Sequence, residues 1–473
     1  MVLRQISDPQ LAQYAYLVGC RRTGEALVID PERDIDRYLK WAHSEDLRVV
    51  AVAETHIHTD FLSGCREFVE RYGCRAYLSG EGGTDWKYEW ADGCSAVTLL
   101  RDGDRFNVGG VDFRTLHTPG HTPEHLAFEV TDRGAGADEP MGIFSGDFIF
   151  AGDLGRPDLL ESAVGKADTM KPAAHDLYVS AQSIFRLPEY LRIWPGHGAG
   201  SMCGKTLAAV PGSTVGYEIR FNPALGAARK GKKAFVDFIL KGQPDPPAYF
   251  ARMKEENRRG PALLGELPSP PRLSEETLRI RASDGSTVLV DTRRDREDYY
   301  AGHIPGSIYA PVNKSFPTVT GSYIDPDREI VLLCHETELE DAVRCLIRIG
   351  LDRVTGWAPP EAVAAYRKTG DRLARIDAIS FRDVPLRQTE KSALILDVRT
   401  AEEFAQSRLN GAVHIAHTRL AAHPGELPRD REILVHCRTG GRASAAVSYL
   451  KREGYCPVVV NDLFSNAPLS IIC

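Results

Sequence analysis

An internal repeat in the second half of the chain constrains the fold more than any other feature of the sequence. The segment VLVDTRRDREDYYAGHIPGS is echoed further along the chain by LILDVRTAEEFAQSRLNGAV. Each copy continues into an apolar β-type run that ends in a cysteine, Cys334 in the first copy and Cys437 in the second, and then into a helical segment. The repeat therefore predicts two homologous α/β domains of about 100 residues each, 271–370 and 371–473.

The first half of the chain is organised differently. Short β-type runs alternate with amphipathic helical segments over residues 1–222, which predicts another α/β domain. Segment 223–270 is basic and rich in proline, and we expect a helix and a linker there. A chain of 473 residues is long enough for this organisation, because a domain typically has about 100–200 residues.

Composition and charge exclude several classes of partner. The 58 basic and 65 acidic side chains give a net charge of −7, so we expect neither nucleic acid nor a membrane as a partner. No apolar stretch approaches the ~20 residues that span a bilayer. The first residues lack the apolar run of a secretory signal, so we expect a cytoplasmic protein. The 10 cysteines have no regular spacing that would indicate a disulfide framework.

Side chains of the kind that bind metal ions follow several predicted strands of the first domain. His56 and His58 stand in THIHTD, directly after the β-type run VVAVAE, and alternate positions on extended backbone point to the same side. HTPGHTPEH contains His121, FSGDFIF contains Asp147, and WPGHG contains His197. Several such sites within one domain predict that these side chains converge on a metal ion.

The order His-x-His-x-Asp, Gly-His-Thr, Ser-Gly-Asp and Gly-His-Gly resembles the metallo-β-lactamase superfamily. That resemblance implies an αββα sandwich with the metal at the sheet edges. Hydrolases of the superfamily usually have histidine directly after the first motif's aspartate, where this chain has Phe61. The resemblance is therefore to the persulfide dioxygenases of the superfamily, and it implies one Fe(II) per chain held by His56, His121 and Asp147. Two histidines and one carboxylate leave iron positions open for dioxygen and a substrate sulfur.

Other histidines and aspartates of these motifs are expected to support the ligands. By position, His58, Asp60 and His197 would orient the ligands or contact metal-bound water. His117 and His125 flank the ligand position within their motif, and we expect both to be structural.

The resemblance also implies substrate contacts. GDLGRPDLL resembles a Gly-Arg-x-Asp stretch of persulfide dioxygenases, in which Arg156 would clamp a carboxylate of the thiol carrier and Asp158 would orient it, a structural ion pair being the alternative. Tyr178 matches a tyrosine near the iron, although a core tyrosine fits the sequence equally well. Cys203, six residues after His197, resembles a cysteine that receives persulfide sulfur in dioxygenase–rhodanese fusions.

A second chemical site is predicted in the second repeat, between the β-type run EILVH and a helix. Its loop consists of Cys437, Arg438, Thr439, Gly440, Gly441 and Arg442. Backbone N–H groups at a helix N-terminus and two arginines favour a thiolate, so Cys437 is a predicted nucleophile, with Arg442 as catalytic partner and the residues between them as the substrate-binding loop. Tyrosine phosphatases have five residues between cysteine and arginine, whereas rhodanese sulfurtransferases have four, as here. DVRTAEEF also resembles the opening of a rhodanese domain.

The first repeat resembles rhodanese as well, but its loop is CHETELED. Cys334 takes the nucleophile position, while the glycines and arginines are absent. Glu336, Glu338 and Glu340 would raise the pKa of the thiol. We therefore interpret 271–370 as a degenerate, structural rhodanese domain.

The whole chain resembles fusions of a persulfide dioxygenase with an inactive and an active rhodanese domain. This implies iron-dependent oxidation of a persulfide of glutathione or coenzyme A type by O2, coupled to sulfur transfer through Cys437 with sulfite or thiosulfate, in sulfide detoxification. The direction of transfer stays open, and we expect a homo-oligomer. Two alternatives remain: a zinc thioester hydrolase of the glyoxalase II type with accessory rhodanese domains, and a non-enzymatic interaction module with an unreactive Cys437.

Overall fold

The computed structural model describes residues 1–163, 165–368, 372–423 and 425–473. The chain forms two compact units, Met1–Leu267 and Pro268–Cys473. Among the helices so described, none has both the length and the apolar character needed to cross a membrane.

The first unit contains two six-stranded sheets. The strands of the first sheet, in both chain and spatial order, are β1 (Val2–Asp8), β2 (Gln13–Cys20), β3 (Glu25–Ile29), β4 (Arg48–Ala53), β5 (Arg75–Ser79) and β6 (Val97–Leu100). The remaining strands are β7 (Arg105–Val108), β8 (Val111–His117), β9 (Leu126–Asp132), β10 (Gly142–Gly146), β11 (Ile149–Phe150), β12 (Asp153–Leu154), β13 (Arg192–Pro195) and β14 (Ser213–Thr214). The second sheet has the order β14-β13-β10-β9-β8-β7, and β11 pairs with β12.

The two sheets face each other and carry helices on their outer faces. The helices of this unit are α1 (Asp36–Ser44), α2 (Cys65–Tyr72), α3 (Leu159–Ser162), α4 (Met170–Ile184), α5 (Val215–Phe221), α6 (Pro223–Arg229), α7 (Lys232–Leu240) and α8 (Phe250–Arg259). Tyr16 and Phe144, one from each sheet, have ring centroids 5.1 Å apart in the shared apolar core. One outer core joins the first sheet to α1 and α2, and another joins the second sheet to α4, α6 and α7. These layers are the predicted αββα sandwich.

Segment 223–270 differs from the predicted helix and linker. Its residues up to Leu267 belong to the first unit and form three helices, α6, α7 and α8. Phe235 and Met253 are fully buried in this segment, so burial of apolar side chains holds it against the sandwich.

The second unit contains two parallel sheets, one for each repeat. The strands are β15 (Thr287–Asp291), β16 (Ile308–Tyr309), β17 (Glu329–Leu333), β18 (Val354–Ala358), β19 (Asp377–Ile379), β20 (Leu394–Asp397), β21 (Val413–His414), β22 (Glu432–His436) and β23 (Cys456–Val460). The spatial orders are β16-β15-β17-β18 and β19-β23-β22-β20-β21. The helices are α9 (Glu275–Ser283), α10 (Arg296–Ala301), α11 (Phe316–Tyr323), α12 (Glu336–Arg348), α13 (Ala362–Lys368), α14 (Val384–Lys391), α15 (Ala401–Gln406) and α16 (Gly441–Arg452).

The two copies of the repeat share local contacts as well as strand order. Asp291 pairs with Arg293 at 2.7 Å in the first copy, and Asp397 pairs with Arg399 at 2.6 Å in the second. In each copy the arginine also donates to the carbonyl that follows the next helix. The predicted boundary between the copies, at 370 and 371, lies outside the described residues.

Candidate metal centre and nucleophile loop

The predicted metal ligands lie in loops at one edge of the sandwich. His56 is three residues after β4, His121 lies between β8 and β9, and Asp147 directly follows β10. Gly146 has a left-handed φ of +48°, which turns the chain at the end of β10. A Cβ at Gly196 would lie 2.5 Å from Asp147 Oδ1, so this position must be glycine for the carboxylate to fit.

Ligand atoms of His56, His121 and Asp147 all lie within 4.8 Å of one another, and all three residues are buried. His121 Nε2 is 3.4 Å from Asp147 Oδ2. Among the described residues, His121 Nε2 and both carboxylate oxygens of Asp147 have no hydrogen-bond partner. Buried polar atoms without partners are costly, and a metal ion would satisfy all of them at once. The residues therefore fit the predicted group.

Hydrogen bonds orient the two imidazoles. The Thr55 hydroxyl donates to Asp30 at 2.9 Å, so it accepts from His56 Nδ1, 2.9 Å away, and leaves Nε2 with a lone pair. His121 Nδ1 donates to the carbonyl of Arg156 at 2.9 Å, which likewise directs Nε2 towards Asp147.

Burial sets the charge of these groups. It holds the pKa of His56 well below its usual range and lowers the pKa of His121 to about 4. Burial also raises the pKa of Asp147 to about 6. The histidines are therefore neutral at physiological pH, which is the form that binds a metal ion.

The other histidines have different partners. Burial opposes protonation of His58, but the Asp30 carboxylate, 3.2 Å away, raises the pKa of His58 to about 9. His125 Nε2 accepts from the backbone N–H of Asp147 at 3.0 Å, and His117 Nε2 donates to the carbonyl of Pro123. His58 thus pairs with a carboxylate, while one ring nitrogen each of His117 and His125 is occupied by a hydrogen bond within the protein.

A second group of ligand-type atoms lies beside the first. It consists of Asp60, His197 and Cys203, all buried and within 4.8 Å of one another. His197 Nε2 is 3.3 Å from Asp60 and 3.5 Å from Asp147 Oδ2. Burial and the two aspartates raise the pKa of the Cys203 thiol well above its usual range, so the thiol is protonated. The structure thus brings Cys203 to the site, as the sequence predicts.

Arg156 and Tyr178, for which the sequence left two interpretations open, both make contacts within the protein. Arg156 is 1% exposed and makes a bidentate pair with Asp158, at 2.8 and 2.6 Å, and it donates to the carbonyl of Met202. Its backbone N–H donates to the carbonyl of Cys203 at 3.1 Å. These contacts favour a structural ion pair over an anion clamp. In this interpretation Arg156 connects the loop of His121 to the loop of Cys203. Tyr178 packs against Phe235, with centroids 5.7 Å apart, as a core tyrosine does.

Two residues that contact this site, Asp30 and Asn257, were not predicted from the sequence. Asp30, after β3, accepts from the N–H and hydroxyl of Thr55 and pairs with His58. Asn257, on α8, donates to the carbonyls of His58 and Phe61 and accepts from the N–H of Ser63. The position of Asp30 directly after a strand could have indicated a site residue. No local sequence pattern around Asn257 indicates its role.

The nucleophile loop lies between β22 and α16, as predicted. Cys437 is buried, and its Sγ accepts from the N–H groups of Gly440 at 3.2 Å and Ala443 at 3.4 Å. Arg442 makes two hydrogen bonds with Glu403, at 2.6 and 2.8 Å. Burial lowers the pKa of Arg442, but Glu403 and the Cys437 sulfur raise it above its usual range. The guanidinium is therefore charged beside the thiol. Arg438 and Thr439 are exposed at the loop.

The matching cysteine of the first copy has different surroundings. Burial and Glu338 raise the pKa of Cys334 to about 12. Of the three glutamates singled out in the sequence, Glu338 has this effect, while Glu340 forms an ion pair with Arg344.

Comparison with known proteins gives family matches to three parts of the chain. The model of the metallo-beta-lactamase superfamily matches residues 8–197, and that of the rhodanese-like domain matches 274–355 and 382–463. A metallo-beta-lactamase from Staphylococcus aureus subsp. aureus COL is 38% identical, and its crystal structure aligns with 76% of this chain and 99% of its own at a TM-score of 0.67. The chain belongs to the metallo-β-lactamase superfamily. It is a fusion of that superfamily's domain with two rhodanese-like domains.

Curated relatives in the superfamily have more than one activity. The mitochondrial persulfide dioxygenase ETHE1 of Bos taurus is 29% identical over 231 residues, which cover 48% of this chain and 76% of that protein. A hydroxyacylglutathione hydrolase of Rhodospirillum rubrum is 29% identical over 286 residues, which cover 60% of this chain and 94% of that protein.

Proposed function

We propose that the first unit oxidises a low-molecular-weight persulfide with dioxygen and that the second unit transfers sulfane sulfur through Cys437. The first reaction is R–S–SH + O2 + H2O → R–SH + SO3²⁻ + 2 H⁺. The observation that carries the proposal is the two-histidine, one-aspartate group with unpartnered buried ligand atoms. The similarity to a persulfide dioxygenase supports it.

His56, His121 and Asp147 would hold one Fe(II). When bound, ferrous iron with this ligand set supplies open positions at which dioxygen and a sulfur atom can meet. The chain's own residues fix the ligands: Thr55 and the Arg156 carbonyl set the imidazole orientations. The buried environment also excludes bulk water.

In the second unit, Cys437 would carry the sulfur as a persulfide. Transfer to sulfite, Cys–S–S⁻ + SO3²⁻ → Cys–S⁻ + S2O3²⁻, breaks the S–S bond and returns the electron pair to Sγ. The N–H groups of Gly440 and Ala443 and the Arg442 guanidinium stabilise that thiolate. The reverse reaction would load Cys437 from thiosulfate.

Oxygen uptake and metal analysis test the proposal. The protein should contain one iron per chain. With glutathione persulfide or coenzyme A persulfide it should consume one O2 for each sulfite formed, counting sulfite that is converted to thiosulfate. Absence of O2 uptake with both persulfides in iron-loaded protein would refute the dioxygenase.

A zinc thioester hydrolase is the second candidate. The group Asp60, His197 and Cys203 favours it, because these three buried side chains could hold a second metal ion beside the first. Two zinc ions per chain and hydrolysis of a glutathione thioester without O2 would support this alternative.

A further inference from the structure

We propose that Arg296, in the degenerate rhodanese copy, binds the anionic group of the sulfur donor or acceptor at Cys437. The proposal rests on the proposed sulfur transfer and assigns a binding role to the copy that lacks a working loop of its own. The group recognised is an anion: the oxyanion of thiosulfate or sulfite, or a carboxylate of a persulfide carrier.

Arg296 lies against the nucleophile loop of the other copy. A Cβ at Gly440 would be 2.9 Å from Arg296 Cζ, so the guanidinium packs directly on the backbone that donates to Cys437. A cleft of 670 Å³ opens at this point, lined by Gly441 and by residues of the first copy that include Arg296, Tyr309 and Asn313. The cleft is large enough for a small anion or for the end of a thiol carrier.

Hydrogen bonds hold the two copies together around this cleft. The hydroxyls of Tyr300 and Ser444 are 2.6 Å apart, and the N–H of Tyr309 donates to Ser448 at 2.9 Å. Burial, Tyr449 and the Cys437 sulfur together raise the pKa of Tyr323, which belongs to the first copy. The Tyr323 hydroxyl has no hydrogen-bond partner among the described residues. The first copy therefore forms part of the surroundings of the nucleophile.

The charged groups of the cleft differ in their partners. Arg294 pairs with Glu338 at 2.7 Å. Asp295 accepts from the N–H of Glu297, and Glu297 accepts from Asn461.

Arg296 is half-buried, and within the described part of the chain its side chain has no hydrogen bond or ion pair. An unpaired guanidinium packed on the loop that carries Cys437 is suited to an anion, because it can donate two parallel hydrogen bonds to an oxyanion.

Alkylation of Cys437 in the full chain tests the position of this charge without requiring enzyme activity. Rates with iodoacetate, an anion, and iodoacetamide, its neutral analogue, are measured by mass spectrometry of the Cys437 peptide. In Arg296→Gln the ratio of the two rates should fall roughly fivefold, because a cation near the sulfur attracts the anionic reagent. Arg296→Lys should restore part of the ratio.

Arg353→Gln is the matched control, since Arg353 is in the same copy, is exposed and pairs with Glu329. Its ratio should equal that of the wild type. The ratio cancels any general change in the reactivity of Cys437. An unchanged ratio in Arg296→Gln would overturn the proposal.

Sulfur transfer to cyanide then distinguishes the two anion sources. If Arg296 binds the oxyanion, Arg296→Gln should raise KM for thiosulfate roughly tenfold and leave KM for glutathione persulfide unchanged. If it binds the carrier's carboxylate, KM for glutathione persulfide should rise instead. Unchanged values for both donors would refute the binding role. A wild type that transfers no sulfur would refute the proposed function, and the alkylation ratio would still decide the position of Arg296.

Discussion

His121 Nε2 and the Asp147 carboxylate are buried polar atoms that the described protein residues leave without hydrogen bonds. Such atoms cost about 1–3 kcal/mol each unless a ligand satisfies them. His121→Ala should therefore lower the affinity for iron by about tenfold or more, measured as metal content after dialysis. His117→Ala is the control, because His117 bonds to the Pro123 carbonyl and should keep its iron. Full iron retention in His121→Ala would contradict the ligand assignment.

Cys203 distinguishes a site with one metal from a site with two. The sequence resemblance implies that Phe61 replaces a second-metal ligand, so we expect one metal per chain and no loss of iron in Cys203→Ser. Metal content of the wild type and of this variant measures both. Two metals in the wild type, one of which is lost in Cys203→Ser, would show that Asp60, His197 and Cys203 form a second metal site.

Cys437 and Cys334 are almost equally buried, at 1% and 0% exposure, so their reactivity should differ through electrostatics and not through access. N–H donors and Arg442 surround Cys437, whereas burial and Glu338 raise the pKa of Cys334 to about 12. Cys437 should therefore react with iodoacetamide at neutral pH far faster than Cys334. Peptide mass spectrometry gives both rates from one folded sample. Equal rates would remove the reason for calling the first copy degenerate.

Helix α8 supports the loop that carries His56 and His58. Asn257→Ala would leave the carbonyls of His58 and Phe61 and the N–H of Ser63 without this partner. We expect a loss of about 1–3 kcal/mol in stability, measured by urea denaturation, and weaker metal retention. Arg259→Ala, on an exposed position of the same helix, should change neither. Wild-type stability and metal content in Asn257→Ala would show that α8 does not support the site.

The ligand loops and the nucleophile loop could be predicted because the chemistry follows strand ends. The motifs mark ligand-type residues after strand ends, His56 in the first sheet and His121 and Asp147 in the second, and the packing of the two sheets brings these ends together. The contacts of Asn257 could not be predicted, since they join segments almost 200 residues apart. The role of Arg156 could not be predicted either, because its sequence motif is compatible both with an anion clamp and with the buried ion pair that the fold forms.

The two copies of the repeat share a fold but differ in the loop that follows the cysteine. Both copies keep the same Asp-x-Arg pair. Only the second copy has a glycine-containing loop that directs N–H groups at its cysteine. Under the proposed function, the second copy would supply the nucleophile, while the first copy would contribute residues around it.

The proposed function predicts coupled products for this fusion, since sulfite formed by the first unit would accept sulfur from Cys437. Cys437→Ser should leave O2 uptake with a persulfide nearly intact and shift the product from thiosulfate to sulfite, because a serine hydroxyl cannot carry sulfane sulfur. If transfer runs in the other direction, the same variant should lose only the O2 uptake that depends on thiosulfate. Both directions require a wild-type protein that gains roughly 32 Da at Cys437 after incubation with persulfide or thiosulfate, which intact-mass spectrometry detects. If the wild type never gains this mass, sulfur transfer through Cys437 is refuted and only the dioxygenase proposal stands.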